Sequence, residues 1–306
     1  MIFMEICIIL AALILDYFLG EPRRFHPLVG LGWVINKTEK HFNRTQNSKI
    51  KGVIALCLIV IPVWVVVSIL ETALETLPLL LFVISAIALY MTIGWRSLIE
   101  HAEAVRIPLQ NQDITTARQK VSYLVTRDTA MLNEEGISKA ATESVLENGN
   151  DAIFAPLFWF FLAGVSGVVL YRVANTLDAM WGYKNKHFFY FGWAAAKFDD
   201  VLNWMPARLC ALSYALCGST RLALKCWQEQ SKAWKSPNAG PVMASGAGAL
   251  NVKLGGVAHY QGDSERRPPL GCGEAANWHT IKKAETLLNH ALILWVVVLI
   301  TATIII

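Results

Sequence analysis

Long apolar segments alternate with polar segments along the chain, and the longer ones approach the ~17–25 residues that a helix needs to cross a bilayer. They cover residues 2–15, 53–70, 77–93, 155–170 and 291–306. A further segment, 205–217, is short and contains Arg208, so it is a marginal candidate. Segment 2–15 carries Glu5 and lacks a basic leading region, which favours a retained membrane helix over a cleaved signal peptide. The pattern predicts an all-α, polytopic integral membrane protein with about five membrane helices, within a range of roughly four to six.

The polar segments contain further helix signals. A helix that begins at Trp95 is expected to end before Pro108, and Asp113 is an expected N-cap of a helix that runs to about residue 125. Asn133 is expected to cap a helix through about Glu147. The apolar face of that helix repeats with the helical period and contains Ile137, Ala140, Ala141 and Val145.

Composition agrees with the membrane assignment. Of the 306 residues, 55% are hydrophobic and 16% are charged, whereas soluble domains carry roughly 25% charged residues. The six cysteines form no CxxC pair, so neither a disulfide framework nor a zinc site is indicated. We expect one membrane-embedded domain over 1–306, with cytoplasmic insertions at approximately 96–152 and 219–289. Within the second insertion, 236–273 is rich in Gly and Pro and predicts an ordered loop with little regular structure.

The distribution of Lys and Arg predicts the topology. Segment 21–51 holds seven, 96–152 holds six and 219–289 holds nine, whereas 71–78 holds none. The positive-inside rule then puts the N-terminus and 71–78 outside and the basic segments inside.

The side of segment 172–204 depends on the apolar run before it. If 155–170 crosses the membrane fully, the polar segment 172–204 lies outside. If Gly164 and Gly167 break the run into a re-entrant hairpin, that segment stays inside, and such a backbone must be buried in protein. We favour the cytoplasmic side.

Three carboxylates, Glu143, Glu147 and Asp151, come at steps of four residues directly before an apolar run. They share one face if the helix continues through them. Carboxylates stacked in this way repel one another unless a cation lies among them, and oxygen ligands suit Mg²⁺. The alternative is structural: Lys139 can pair with Glu143, and Asp151 can cap a helix that has Pro156 near its start.

Three further groups of residues are candidates for chemistry. Asp178 and Asp199-Asp200, with the polar residues around them, are typical either of a metal–phosphate site or of a solvated interhelical loop. The glycine-rich stretch 236–256, which includes Lys253, suits either an anion or a connector without a ligand. Arg23 and Arg24, at the inner end of the first membrane helix, are either part of such a site or topology anchors, and taken alone they favour the anchor role.

Five stretches, taken in order, carry a resemblance to a known family. They are "LDYFLGEPRRFHPLVGLG" (15–32), "TRDTAMLNEEGISKAATESVLENGNDAIFAPLFW" (126–159), "NTLDAMWGYKN" (175–185), "FGWAAAKFDDVLNWMPARL" (191–209) and "SPNAGPVMASGAGALNVKLGG" (236–256). This combination resembles the adenosylcobinamide-phosphate synthases, the CbiB/CobD family of cobalamin biosynthesis. Gly149-Asn150 followed by Ile153-Phe154 departs from the family pattern. The tail over 260–289 is divergent, so no function is transferred to it.

The resemblance implies a reaction, its reactants and its place in the cell. An amide bond joins adenosylcobyric acid to (R)-1-amino-2-propanol O-phosphate, ATP drives the reaction, and Mg²⁺ assists. The implied location is the bacterial cytoplasmic (inner) membrane, with the active site on the cytoplasmic side and other late cobalamin-pathway membrane enzymes as partners.

The resemblance also implies roles for residues of this chain. The expected catalytic or metal-binding acids are Glu143, Glu147, Asp151, Asp178, Asp199 and Asp200, of which the first three are the magnesium ligands. The expected phosphate-binding cations are Arg23, Arg24, Arg127, Lys184 and Lys253. Amide side chains expected to bind corrin amides or ribose are Asn148, Asn175, Asn203 and Asn238.

Two other functions compete with the ligase. A membrane transporter fits the apolar segments, but the polar motifs concentrate between the helices and the hydropathy has no inverted repeat. A signalling protein of the AmpE type, without ligase activity, would tolerate alanine at the acids. The net charge of +4 is explained by inner-loop topology and does not indicate nucleic-acid binding.

Overall fold

The computed structural model describes residues 2–22, 26–44, 48–260 and 263–305. Most of them are helical, which confirms the all-α, polytopic prediction. The α-helices are α1 (Ile2–Leu19), α2 (Pro27–Phe42), α3 (Lys49–Leu74), α4 (Pro78–Tyr90), α5 (Trp95–Gln110), α6 (Ile114–Val121), α7 (Glu134–Gly149), α8 (Ala155–Trp181), α9 (Trp193–Leu202), α10 (Trp204–Cys217), α11 (Thr220–Gln230), α12 (Ala239–Leu250) and α13 (Trp278–Ile305). A π-helical turn covers Asn150–Phe154 and a 3-10 turn covers Ser231–Ala233. The strands are β1 (Val252–Tyr260), β2 (Asp263–Gly271) and β3 (Glu274–Ala275).

Four helical stretches of the described chain are long and apolar enough to cross a membrane. They are Lys49–Leu74, Pro78–Gln110, Glu134–Trp181 and Trp278–Ala302. α1 adds an 18-residue apolar helix, whereas α10, the marginal sixth candidate, has 14 residues and is too short to span a bilayer on its own.

The chain divides into two compact units, each built from two separate segments. Unit 1 comprises Met1–Gly94 and Ala155–Asn203, and unit 2 comprises Trp95–Phe154 and Trp204–Ile306. The expectation of a single domain stays a prediction.

In unit 1, α3 is apolar on all sides, as expected for a helix in lipid. Large side chains such as Ile61, Trp64 and Ile69 are exposed along it. The opposite face packs into a buried cluster with the second half of α8, which includes Ile59, Leu177 and Trp181.

α8 is two helices rather than one. Backbone angles leave the helical range at Ala163 (φ −145°, ψ 25°) and Gly164 (φ 62°, ψ −151°). Ala155 lies in one buried cluster with Tyr171 and Ala174, although 16 residues of straight helix would separate it from Tyr171 by about 24 Å. The chain therefore reverses at Ala163–Gly164, and the two arms, 155–162 and 165–181, lie side by side.

The arms approach closely because of Gly167. A Cβ atom at this position would lie 2.6 Å from the carbonyl oxygen of Trp159 in the other arm. This distance leaves no room for a side chain, so both glycines that the sequence singled out have a structural reason. The chain over 155–170 thus forms a helical hairpin, as in the alternative that we favoured, and the side of the membrane on which segment 172–204 lies stays a prediction.

The start of the second arm is capped by a side chain from α3. The Glu71 carboxylate accepts hydrogen bonds from the backbone N–H groups of Val165 (2.7 Å) and Ser166 (2.9 Å). These N–H groups have no partner within a helix that begins at this point. A carboxylate there also complements the positive end of the helix dipole.

The opposite end of α3 lies beside the chain that follows α8. Gly52 contacts the carbonyl of Phe191, and the ring of Phe191 packs edge-on against Trp181, with centroids 4.9 Å apart. Lys49 and Lys184 line one cavity there. Segment 172–204 therefore lies beside the Lys49 end of α3. The turn of the hairpin lies beside the Glu71 end.

In unit 2, the two expected N-caps are confirmed. Asp113 accepts from the N–H of Thr116 at 3.0 Å, and Asn133 accepts from the N–H of Gly136 at 2.9 Å. The predicted apolar face of α7 is fully buried. Two expectations are wrong: α5 continues through Pro108 to Gln110, and α6 ends at Val121, short of residue 125.

The expectation of little regular structure over 236–273 is also wrong. α12 (Ala239–Leu250) is almost entirely buried, and its small residues let neighbouring helices approach, as where Gly246 meets Leu146. β1 and β2 form an antiparallel hairpin, and β3 pairs with β1 in parallel. The sequence conceals this because a helix of small residues, buried all round, has no polar face and therefore no amphipathic period.

The π-helical turn after α7 is held by α10. The hydroxyl of Tyr214 donates to the Leu146 carbonyl oxygen at 3.1 Å. The backbone N–H of Asn150, which would bond to that carbonyl in a regular α-helix, donates to the backbone carbonyl oxygen of Glu147. A Cβ on Gly149 would clash with that hydroxyl. π-turns in helices are frequent at functional sites, and this one begins three residues after Glu147 and contains Asp151.

We expect Glu71→Ala to lower the free energy of unfolding by about 1–2 kcal/mol, because two N–H groups of the second arm lose their acceptor. Glu71→Gln, which keeps an acceptor oxygen, should cost less. The measurement is the unfolding transition of the purified protein in detergent. Glu75→Ala, in the exposed turn after α3, is the matched control, and an equal effect of both alanine variants would contradict the capping role.

Candidate functional site

In unit 2, Glu143 lies between two arginines that are distant in sequence. Its Oε2 atom is 2.8 Å from Arg127 Nη2 and 2.8 Å from Arg267 Nη1, and its Oε1 atom is 3.2 Å from Arg267 Nη2. The backbone N–H of Gly255 donates to Oε1 at 2.8 Å. We call Arg127, Glu143 and Arg267 the arginine cluster.

The arginine cluster is buried. The side-chain exposures are 6% for Arg127, 5% for Glu143 and 10% for Arg267, so the charges have lost most of their hydration. Two guanidinium groups share one carboxylate, which leaves an excess positive charge. Glu147, one turn further along α7, is close enough to interact electrostatically with all three. With an ionised Glu147 the group is neutral, and its guanidinium groups are of the kind that bind phosphate or carboxylate.

The backbone of β1 and β2 is irregular where Gly255 and Arg267 contact Glu143. Gly255 has φ +74°, which favours glycine, and a Cβ there would overlap the Pro268 carbonyl. The register shift between Leu254 and Gly256 lies at this point. Arg267 also lies over the ring of Trp234, 5.5 Å from its centroid, so the guanidinium is held on two sides.

In unit 1, three carboxylates lie near one another: Asp178 on α8, and Asp199 and Asp200 on α9. We call them the aspartate cluster. Their charges interact, with Asp199 the stronger neighbour of Asp178. Asp200 pairs with Lys197 at 2.9 Å.

Asp199 is held by two asparagines that the sequence had singled out. Asn203 Nδ2 lies 3.1 Å from both oxygens of Asp199, and Asn175 Nδ2 lies 3.4 Å from Oδ1. Asn203 in turn accepts from the Tyr171 hydroxyl at 3.2 Å. Burial raises the pKa of the Asp199 carboxyl, the two amide hydrogen bonds oppose that shift, and the charge of Asp200 adds to it.

The magnesium prediction for Glu143, Glu147 and Asp151 does not fit as a set. Among the residues that the structure describes, no group of three metal-binding side chains is close enough to hold one ion. Glu143 is occupied by two guanidinium groups and an amide, so its assignment as a metal ligand is not supported. The Lys139–Glu143 pair, the structural alternative, is wrong, because Lys139 pairs with Glu135 at 2.7 Å.

Glu147 and Asp178 are the better candidates for a metal. Neither forms an ion pair with any residue in the described part of the chain. Magnesium in nucleotide enzymes typically binds through one or two carboxylates together with phosphate oxygens and water. Whether Glu147, Asp151 or Asp178 contacts an ion stays a prediction.

Several other predicted site residues have structural partners. Asn148 bonds to Ser144 on its own helix (3.0 and 2.9 Å), and Asp151 accepts from Asn150 at 2.8 Å. Asn238 accepts from Arg208 at 2.7 Å. These contacts position the side chains, and their binding roles stay predictions.

The predicted phosphate-binding cations are dispersed. Lys184 lines a cavity in unit 1 together with Lys49 and Lys186, whereas Lys253 is exposed on β1 in unit 2. Arg127 belongs to the arginine cluster. Arg23 and Arg24 lie outside the described residues.

Sequence reasoning missed Arg267, which lies in the tail that was set aside as divergent. Its pairing with Glu143 spans 124 residues, so no local pattern predicts it. The available signal was the Arg266-Arg267 pair itself, in a stretch with few other basic residues. Lys49 was counted only among the topology charges of segment 21–51.

Comparisons with known proteins agree over nearly the whole chain. Residues 9–288 match the family model described as CobD/Cbib protein. A relative named "Cobalamin biosynthesis protein CobD" from Stutzerimonas stutzeri is 51% identical over 95% of each chain. A relative of the same name from Chromobacterium violaceum is 48% identical over 96% of each chain. One from Mycobacterium tuberculosis is 35% identical over 91% of this chain and 90% of its own. No solved structure is significantly similar.

A match of this length and identity goes well beyond shared motifs. It covers both units, the arginine cluster and the aspartate cluster. The chain belongs to the CobD/CbiB family of cobalamin biosynthesis proteins.

Proposed function

We propose that this protein, which acts in cobalamin biosynthesis, is an adenosylcobinamide-phosphate synthase. It joins a carboxylate of adenosylcobyric acid to the amine of (R)-1-amino-2-propanol O-phosphate at the expense of ATP. The cobalamin role rests on family membership, and the ligase chemistry is our proposal. The structural observation that carries it is the buried arginine cluster.

The arginine cluster suits the anionic reactants of such a ligase. Every participant carries carboxylate or phosphate, and guanidinium groups bind both in a two-pronged geometry. Both guanidiniums are fixed by Glu143, so less side-chain entropy is lost when a ligand binds. Glu143 therefore acts on the reaction through the arginines, and we assign it as a positioning residue.

The chemistry requires activation of a carboxylate. In the proposed sequence the substrate carboxylate oxygen attacks the γ-phosphorus of ATP and ADP leaves. The neutral amine then attacks the resulting acyl phosphate, the C–O bond breaks, and inorganic phosphate leaves. A base must remove a proton from the ammonium before this attack. Glu147, a carboxylate beside two fixed guanidiniums, is our choice for that base.

Magnesium, when bound with ATP, supplies charge neutralisation to the phosphate oxygens. Asp178 is the residue in unit 1 that we assign to it. Asp199 and Asp200 surround Asp178 with negative charge, which favours a nearby cation.

The direct test incubates the purified protein with adenosylcobyric acid, aminopropanol phosphate, ATP and Mg²⁺, followed by mass spectrometry of the corrinoid. We expect the mass gain of one amide-linked aminopropanol phosphate, with one ADP formed per amide. O-phosphoethanolamine in place of aminopropanol phosphate reports amine selectivity. An unchanged corrinoid mass in the complete reaction would refute the proposal, and uptake of corrinoid into proteoliposomes without chemical change would favour a transporter.

Substitutions at Glu143 and Glu147, one helical turn apart, distinguish a residue that positions the arginines from a residue that takes part in the reaction. Glu143→Gln leaves two buried guanidiniums without their carboxylate and should lower the free energy of unfolding by about 3–5 kcal/mol. Glu147→Gln should abolish amide synthesis and cost less stability than Glu143→Gln, because the ion pairs of Arg127 and Arg267 in the described chain are made with Glu143. Thermal unfolding in detergent and the mass-spectrometric assay measure the two effects.

A double variant tests whether the instability of Glu143→Gln comes from the unpaired buried arginines. Arg127→Gln combined with Glu143→Gln removes one charge of each sign, so it should recover part of the lost stability. Normal turnover by Glu147→Gln, or wild-type stability of Glu143→Gln, would contradict the assigned roles.

A further inference from the structure

A second cationic site lies in unit 1. It is a cavity of about 720 Å³, largely open to solvent, at the Lys49 end of α3, lined by Ser48, Lys49, Lys184, Asn185, Lys186, Phe189 and Tyr190. Of the described residues that line the cavity, three are lysines and none is Asp or Glu. Cavities of roughly 300–1,000 Å³ accommodate ligands of cofactor size.

The helix that opens at this cavity adds to the positive potential. α3 has 26 residues, and the first N–H groups of a helix have no partner within it. Its N-cap residue, Ser48, makes no side-chain capping hydrogen bond. The Ser48 hydroxyl and the first-turn amides therefore supplement the lysines as donors to an anion.

Contacts around the cavity orient its donors. The Lys49 ammonium lies over the ring of Trp193, 4.9 Å from the centroid. Asn185 Oδ1 accepts from the N–H groups of His187 (3.1 Å) and Phe188 (3.0 Å). These hydrogen bonds fix the turn that carries Lys184 and Lys186.

Two aromatic rings form an apolar part of the lining. Phe189 is 54% exposed and Tyr190 is 48% exposed, and their rings meet edge to face with centroids 4.9 Å apart. Exposed aromatic faces beside cationic groups are the combination that stacks a nucleobase while phosphates are neutralised.

We propose that this cavity binds a nucleoside triphosphate, with the phosphates at the three lysines and the start of α3 and the base on the aromatic pair. The size of the cavity and its aromatic wall favour this ligand over a small phosphomonoester. The identity of the nucleotide as ATP rests on the proposed function. Asp178 lies at the end of α8, in the last turn before Lys184, so the carboxylate that we assign to magnesium precedes the phosphate-binding lysines directly in the chain.

A topology role for the same lysines makes a different prediction. Positive charges that only orient a membrane protein act through their sum and need no cavity. Lys51 is in the first turn of the same helix and does not line the cavity. Lys51→Ala therefore removes the same charge from the same end of α3, and it is the matched control.

The test measures ATP binding by equilibrium dialysis, with the full-length protein in nanodiscs of phosphatidylcholine. Lys49→Ala and Lys184→Ala should each raise the Kd for ATP by about tenfold, the loss of one charge-assisted hydrogen bond. Lys51→Ala should stay within about twofold of wild type. Inorganic triphosphate should compete with ATP, and Tyr190→Ala should weaken ATP but not triphosphate.

Three results would overturn the inference. An unchanged Kd for ATP in Lys184→Ala excludes the cavity as the nucleotide site. Equal increases of the Kd for ATP in Lys51→Ala and Lys184→Ala would show that the lysines act only through the total positive charge at this end of α3. Binding that appears only as lysine-dependent retention of phosphatidylglycerol, with no ATP bound in neutral nanodiscs, identifies a lipid headgroup as the occupant.

These outcomes are independent of the ligase assay. If wild-type protein forms the amide and Lys184→Ala binds ATP normally, the cavity assignment fails and the proposed function stands. If ATP binds at the cavity but the corrinoid mass never changes, the nucleotide site stands and the proposed function fails.

Discussion

Unit 1 depends on one carboxylate that allows the chain to turn back where its sequence is most apolar. The N–H groups at the start of a helix are costly to leave unsatisfied near hydrocarbon, and Glu71 satisfies two of them at the beginning of the second arm of α8. Gly164 provides the left-handed backbone of the turn, and Gly167 lets the arms touch. Because of this reversal, the polar residues that follow α8 share the Lys49 end of α3, where the lysine-lined cavity lies.

The two units manage charge in opposite ways. In unit 2 the arginine cluster is compensated internally: two guanidiniums hold one carboxylate, and Glu147 stands beside them. In unit 1 the aspartate cluster keeps like charges together, with amide hydrogen bonds on Asp199 and a lysine on Asp200. Like charges held together are destabilising unless a cation binds or a carboxyl is protonated. This accords with the general tendency of functional sites to sacrifice stability.

Local chemistry explains what could be predicted from the sequence. The caps at Asp113 and Asn133 act over three residues, and the buried face of α7 follows from helical periodicity, so both were predictable. The alternative of a hairpin at Gly164 was also visible, because two glycines interrupt a run that is otherwise strongly apolar. Its outcome depended on Glu71, 94 residues away from Val165.

Other features could not be predicted from the sequence. They depend either on contacts between distant segments or on stretches in which apolar and polar residues do not alternate. Arg267 meets Glu143 across 124 residues, and no property of either neighbourhood indicates the pairing. α12 consists of small residues that are buried on every side, so it resembles a flexible linker in composition. β2 contains Pro268 and Pro269, which count against a strand assignment. The proximity of the three acids of the aspartate cluster could be suspected because asparagines and acids recur there within a few helical turns, and its role as a site stays a prediction.

The chain turns back within 155–170, and our central inference from this geometry is that the segment does not cross the membrane. Its most direct test is labelling of single cysteines with a membrane-impermeant maleimide, in a variant without the six native cysteines, in right-side-out and inverted vesicles. The informative positions are Lys40→Cys before α3, Glu75→Cys after it, and Tyr183→Cys after α8. A re-entrant hairpin predicts that Tyr183→Cys reacts from the same side as Lys40→Cys and from the side opposite to Glu75→Cys. Reaction of Tyr183→Cys from the same side as Glu75→Cys would contradict it.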